Sequence, residues 1–170
     1  MYRESIDLVE ITRHMITQMG QSSDRHELTL DTSLPHVHAQ VDRGRIEQVL
    51  MNLITNAIKY SPAGGKVEVT LQVEKGQKEA LISIRDYGTG IPYSEQADLF
   101  GRFVRASNSQ TQGINGTGLG LYLCRELISQ HEGDIWFEST EGVGSTFFIS
   151  LPLSTGAAST SETDPSLRSG

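Results

Sequence analysis

Cysteine is nearly absent. The chain of 170 residues holds one, Cys124, so no disulfide can close within it, and a reducing compartment fits. Cys124 sits among Leu119, Leu123, Leu127 and Ile128 at helical spacing, where a free thiol packs as a small apolar group. No apolar run is long enough to span a bilayer, and no leader pattern opens the chain. Basic residues are scarce, with 14 Lys and Arg against 21 Asp and Glu and a net charge of −7. That balance excludes a general nucleic-acid binder, which needs a basic patch. A polyanion could be held only through a metal or a focused basic cluster. There is no internal repeat, and neither the Walker nor the Rossmann phosphate fingerprint occurs. From Ser154 onward apolar residues almost vanish among Ser, Thr, Gly and Ala. Residues 1–153 are therefore expected to form one domain, and 154–170 a disordered tail.

What is present alternates between helical and strand patterning. Ile6, Leu8, Ile11, Met15 and Met19 predict an amphipathic helix over 7–20. "HELTLDT" (26–32) and "HVHAQVD" (36–42) alternate as half-buried strands do. Asp42 is an expected N-cap for a long helix from 43 to 60, stopped by Ser61-Pro62 and Gly64-Gly65. Strands follow at 66–74 and 79–86 around a "KGQK" turn. A short helix is expected over 94–103 with Ser94 as cap. Residues 104–117 are polar and read as a mobile loop. A helix from Leu119 and strands at 134–139 and 145–153 complete the order. Helix and hairpin alternate, which predicts a sheet covered on one face by helices.

Three motifs carry chemistry. On the long helix, Asn52, Asn56, Lys59 and Tyr60 share one side. Amides and an ammonium there suit a phosphate and a hard cation such as Mg²⁺, though a solvated helix face has the same composition. Asp86 closes a strand just before Gly88 and Gly90; a buried carboxylate there could accept from an exocyclic amine such as adenine N6, and the same residues also make an ordinary turn. In "GINGTGLGLYLCRELI" (113–128), Gly116, Gly118 and Gly120 run straight into a helix, an arrangement that holds an anion at the helix N-terminus.

These pieces occur in order: Asn52…Asn56-x-x-Lys59-Tyr60, then Asp86-x-Gly88-x-Gly90-Ile91-Pro92, then "LFGRFVRAS" with Phe100 and Phe103, then Gly116-Thr117-Gly118-Leu119-Gly120-Leu121, then "GVGSTFFISLPL". Over residues 5–153 the chain strongly resembles the catalytic ATP-binding domain of bacterial sensor histidine kinases, part of the superfamily that includes gyrase, heat-shock chaperone and mismatch-repair ATPases. The resemblance implies a Bergerat-type α+β fold, a two-layer sandwich with a mixed sheet covered on one face by helices. It implies ATP and Mg²⁺ as ligands, with 104–117 as the ATP lid. Asn56 matches the Mg²⁺ ligand, with Asn52 supporting it. Lys59 matches the phosphate-contacting lysine, Tyr60 lines the pocket, and Asp86 reads adenine. Gly88 and Gly90, with Ile91, let the chain pass the base. Gly116, Thr117, Gly118, Leu119, Gly120 and Leu121 form the box where the lid meets the triphosphate. Arg102 and Arg105 are the basic residues expected near the γ-phosphate, Phe100 belongs to the pocket, and Thr146 resembles a threonine at the adenine end. Gly101, Val104 and Tyr87 depart from the residues common in the family.

Two absences refine the expectation. Superfamily hydrolases carry a glutamate base four residues before the metal-binding Asn; here that residue is Asn52, and Glu47 lies elsewhere on the helix. No phrase resembling the phosphoacceptor "SHELRTPL" occurs, and His14, His26, His36, His38 and His131 are expected at the surface or at edges. The resemblance thus implies one domain of a longer kinase. It would donate the γ-phosphoryl to a histidine on a separate dimerisation domain, with a response regulator downstream. The domain is expected to be cytoplasmic and monomeric, without nucleic-acid or membrane contact. An ATP hydrolase or clamp, and a non-catalytic nucleotide-binding module, are the alternatives.

Overall fold

The computed structural model describes residues 1–74, 76, 78–101 and 120–154. Strand β1 (Glu4–Asp7) leads into helix α1 (Leu8–Gly20), whose first turn is capped by Asp7 accepting from the Val9 N–H. Strands β2 (His26–Asp31) and β3 (His38–Val41) precede helix α2 (Arg43–Lys59), capped by Asp42 accepting from Arg45 N–H. Strands β4 (Gly65–Gln72) and β5 (Glu79–Asp86), a 3₁₀ turn (Tyr93–Glu95), helix α3 (Gly120–Gln130), and strands β6 (Asp134–Thr140) and β7 (Gly144–Pro152) follow.

The main sheet has five strands in the order β2-β4-β5-β7-β6, and β1 pairs with β3 in a separate two-stranded ribbon. The sheet is mixed: β2 runs parallel to β4, while the other pairs are antiparallel. One face carries the core. Val67, Val69 and Leu71 of β4, Ile82 and Ile84 of β5, and Phe147, Ile149 and Leu151 of β7 are buried together with Ile46, Leu50, Leu53 and Ile54 of α2 and Leu127 and Ile128 of α3. This is the expected α+β sandwich with helices on one face of a mixed sheet.

Three local expectations need correction. The strands at 26–32 and 36–42 are not a hairpin: β2 pairs with β4 and β3 with β1. Alternation identifies a strand without naming its partner. The helix expected over 94–103 is, up to residue 101, only the 3₁₀ turn and bends, with no side-chain cap at Ser94; Pro92 flanks its start. Gln96 explains part of this, because its side-chain amide donates to the Ile91 and Ser139 carbonyls and fixes the segment against β6. His131 is not at the surface but 2% exposed. Its Nδ1 lies 2.7 Å from the Leu127 carbonyl, and its Nε2 accepts from the Asp42 N–H at 3.1 Å. The ring therefore ties the end of α3 to the cap of α2 as the neutral Nδ1–H tautomer. Cys124 is buried as expected, and burial pushes its thiol up to about 12.

Candidate functional site

The carboxyl end of β5 meets the end of α2 and the β6–β7 hairpin. The meeting is closer than side chains allow. A Cβ on Gly88 would fall 1.9 Å from the Tyr60 carbonyl oxygen. Gly90 takes φ +68, and a Cβ there would lie 2.1 Å from the Thr140 carbonyl oxygen. Hydrogen bonds close the same contacts: Thr89 N–H donates to Tyr60 O at 2.8 Å, and Gly142 N–H donates to Thr89 O at 2.7 Å. Ile91 N–H donates to Ser139 Oγ at 2.8 Å, and that hydroxyl pairs with Ser145 Oγ, also at 2.8 Å. Residues 87–91 are thus clamped between helix and hairpin, with Ile91 and Tyr60 buried beside them.

Asp86 is the chemical centre of this clamp. It is 2% exposed and, among the described residues, no salt bridge holds it. The Gly88 N–H donates to its Oδ1 at 2.9 Å, and the Ser145 backbone supplies a second hydrogen bond. Burial nevertheless prevails and pushes its carboxyl from 3.8 up to about 6. A carboxylate offers roughly four lone-pair sites, so two backbone bonds leave acceptor capacity unused. Burying it without a further donor is costly. A further hydrogen-bond donor brought to Asp86 would meet that unused capacity.

The strand register places Thr146 differently from its expected role. Phe147, Ile149 and Leu151 point to the core, so Ser145 shares their face and stands opposite Asp86, whereas Thr146 faces outward between Arg85 and Glu138. Thr146 lines, with those two neighbours, a concavity of about 150 Å³ that Asp86 and Ser145 border. The hydroxyl on the Asp86 side is therefore Ser145. The inward phase of "STFFISL" carried that signal in the sequence.

Along α2, Asn52 and Asn56 are half-buried and Lys59 is exposed in the last turn, where Tyr60 caps the helix. Asn52 lies beside the Cys124 thiol of α3, whose Sγ donates to the Val49 carbonyl at 3.9 Å. Among the described residues no three His, Cys, Asp or Glu side chains come together as a metal cage. Asn56 offers one amide oxygen. That donor set fits Mg²⁺ only if phosphate oxygens and waters complete its shell, which is the usual habit of that ion. Gly120 opens α3 and Leu121 is buried just after it. Phe100 packs against Phe137 and Phe147 at centroid distances of 5.8 and 6.3 Å. Arg102, Arg105, Gly116, Thr117, Gly118 and Leu119, with the loop 104–117 and the tail from 155, lie outside the described residues.

A half-buried helix face of amides beside a clamped, buried carboxylate at the strand ends defines a class of ligand-holding α+β domain. Residues 41–155 match the family described as histidine kinase-, DNA gyrase B- and HSP90-like ATPases, and the chain belongs to that family. It is 37% identical over 152 residues to the sensor histidine kinase WalK of Bacillus subtilis, covering 88% of this chain and 25% of WalK. It is 44% identical over 143 residues to the adaptive-response sensory kinase SasA of a Synechococcus strain, covering 84% of this chain and 37% of SasA. The chain thus spans well under half the length of these relatives. Among solved structures it is similar to full-length ShkA in complex with AMPPNP, with TM-score 0.73 and 28% identity over 92% of this chain and 32% of that one. No helix among the described residues is long and apolar enough to cross a membrane.

Proposed function

We propose that this domain binds Mg²⁺-ATP with the adenine amine on Asp86 and presents the γ-phosphoryl to a histidine on a separate domain of its parent kinase. The observation that carries this most is Asp86, a carboxylate buried without an ion-pair partner among the described residues, its Oδ1 held by the Gly88 N–H. Adenine N6–H is a donor that would satisfy it, and a 6-oxo purine offers none there. Ser145 and Ser139 border the same end of the pocket. Similarity to a kinase solved with AMPPNP supports a triphosphate as the ligand's other end.

Asn56, with Lys59 one turn on, would hold the metal-bound phosphates. Mg²⁺ would supply charge neutralisation to the transferring group. Asn56→Ala is expected to leave ATP binding possible but to remove most of its dependence on Mg²⁺. Titration of ATP with and without the ion checks this, and an unchanged dependence would exclude Asn56 as the ligand.

Hydrolysis is disfavoured because Asn52 stands where a base would have to activate water. Its amide cannot take a proton. Losing such a base is worth roughly 10²–10⁴ in rate. The histidines also fit poorly as acceptors. His131 has both ring nitrogens engaged, and His26 bonds Ser23 and the Ser61 carbonyl. Incubated alone with γ-labelled ATP, the chain is expected to release little phosphate and to carry no acid-labile label. Adding a kinase dimerisation domain with its phosphoacceptor histidine in trans is expected to yield label on that domain. Label on this chain's own histidines would overturn the proposal, and rapid phosphate release would favour the hydrolase alternative.

The partners that follow are the phosphoacceptor domain and, through it, a response regulator. We place the domain in the cytoplasm, monomeric and free of membrane contact. Residues 1–153 are taken as the functional unit, with 154–170 as an appended tail.

A further inference from the structure

The sheet face opposite the helices has a composition that water alone does not explain. By strand alternation it carries Glu27 and Asp31 of β2, Glu68 of β4, Glu79 of β5, and Asp134 and Glu138 of β6, against Lys66 and Arg85. Within this acidic surface lies an aromatic pair. Trp136 is 39% exposed and stacks on its cross-strand neighbour Phe148, with centroids 5.4 Å apart and planes inclined by 11°. Next to the pair the register sets Ser150 between Leu81 and Asp134. The small serine leaves a hollow of about 280 Å³, lined by Trp136, Leu81, Ala80, Ser150, Glu74 and Glu79. Neither Glu74 nor Glu79 has an ion-pair partner among the described residues.

An indole wall, an aliphatic floor and, at the rim, two carboxylates without an ion-pair partner among the described residues, next to the exposed Lys78, make up a receptor for a cationic side chain. The ring face attracts the cation, the floor takes its methylene stem, and the carboxylates accept its N–H groups. We propose that this face docks a basic segment of a partner protein, seating an arginine against Trp136 between Glu74 and Glu79. Charge complementarity selects that occupant. A second copy of this chain would bring the same acidic face and a net charge of −7, and an anionic lipid surface would be repelled. The hollow lies on the side of the sheet away from α2, so it is independent of nucleotide binding.

Trp136 is the only tryptophan in the chain, so its emission reports on this hollow alone. The experiment titrates the full chain with a capped peptide of alternating glycine and arginine at physiological salt. The control peptide has citrulline in place of arginine. Expected is a saturable change in Trp136 emission with the arginine peptide and none with citrulline. Glu74→Gln/Glu79→Gln should weaken binding about tenfold, the sum of two partly exposed charge contacts. Glu27→Gln/Asp31→Asn, which removes the same charge from the far edge of the same face, should change it less than about twofold. Melting temperatures of both double variants confirm that each is folded. Three results would overturn the proposal: no saturable response in the parent chain, equal weakening by both double variants, or concentration-dependent self-association lost in Trp136→Ala.

Discussion

Asp86→Asn is expected to stabilise the free domain at pH 7 while removing most of its affinity for ATP. The two effects have one cause. In the folded protein the Asp86 carboxyl is pushed from 3.8 up to about 6 by burial, so the folded state binds a proton more tightly than the unfolded one. Stability therefore falls as pH rises from about 4 to about 6, and the whole cost is present above that. The interval corresponds to at most ~3 kcal/mol. Asparagine keeps an oxygen to accept from Gly88 and carries no charge to desolvate. The variant should melt up to ~6–12 °C higher at pH 7, with the difference vanishing near pH 4. In the ligand complex the balance reverses. Losing a charge-assisted bond and setting an amide N–H₂ against the adenine amine should weaken ATP by about 10²–10⁴-fold. The parent protein should also lose ATP affinity as pH falls below about 6, because the protonated carboxyl is a poorer acceptor. Thermal scans across pH with parallel calorimetric titrations measure both effects. A variant that is destabilised at pH 7, or that binds ATP as well as the parent, contradicts the role given to Asp86.

Gly88→Ala should be the most damaging single methyl in the described structure. The added carbon would sit 1.9 Å from the Tyr60 carbonyl oxygen and 2.6 Å from its carbon. Neither side can retreat easily. Tyr60 caps α2 through its N–H to Asn56 O, and its own carbonyl accepts from Thr89. A clash with anchored backbone belongs at the upper end of overpacking costs, ~3 kcal/mol or more, or a drop of roughly 6–12 °C in melting temperature. Any folded fraction should bind ATP poorly, since Asp86 hangs on the Gly88 N–H. Gly20→Ala is the control: a Cβ there meets nothing within 4 Å, and the substitution should be neutral or mildly stabilising. Equal melting temperatures for Gly88→Ala and the parent would contradict the clamped loop.

Much of this was legible in the sequence because local chemistry and global fold agree there. Asp42 before a long apolar stripe gave α2 and its cap, and the strands read at 66–74, 79–86, 134–139 and 145–153 followed from alternation and turn residues, within a residue or two of their ends. What escaped was relational. β2 alternates like any half-buried strand, but its partner β4 lies beyond a whole helix, and no local pattern encodes a parallel crossover. β1 is only four residues long, too short for periodicity to register. His131 read as an edge histidine because its two hydrogen-bond partners, Leu127 and Asp42, are brought together only by packing of α3 on α2. At the site, Asp86 and the glycines were readable as a motif, yet Thr146 and Ser145 differ by one residue of register. The inward phase of Phe147, Ile149 and Leu151 already put Ser145 on the core side, and the pairing with β5 sets it opposite the carboxylate. Phe100 was placed in the pocket by resemblance; among the described residues its ring meets Phe137, Phe147 and the Arg125 guanidinium, which makes it a wall of the core as well.

The most direct test of the central claim compares ATP with inosine triphosphate on the unmodified chain at pH 7.5. The two share ribose, triphosphate and metal. They differ where adenine N6–H₂ gives way to a carbonyl oxygen and N1 gains a hydrogen. If a buried Asp86 carboxylate accepts from N6–H, calorimetry should show ATP bound at least ~100-fold more tightly, because a carbonyl oxygen would face the ionised carboxylate where that donor had been. Equal affinities for the two nucleotides would contradict it.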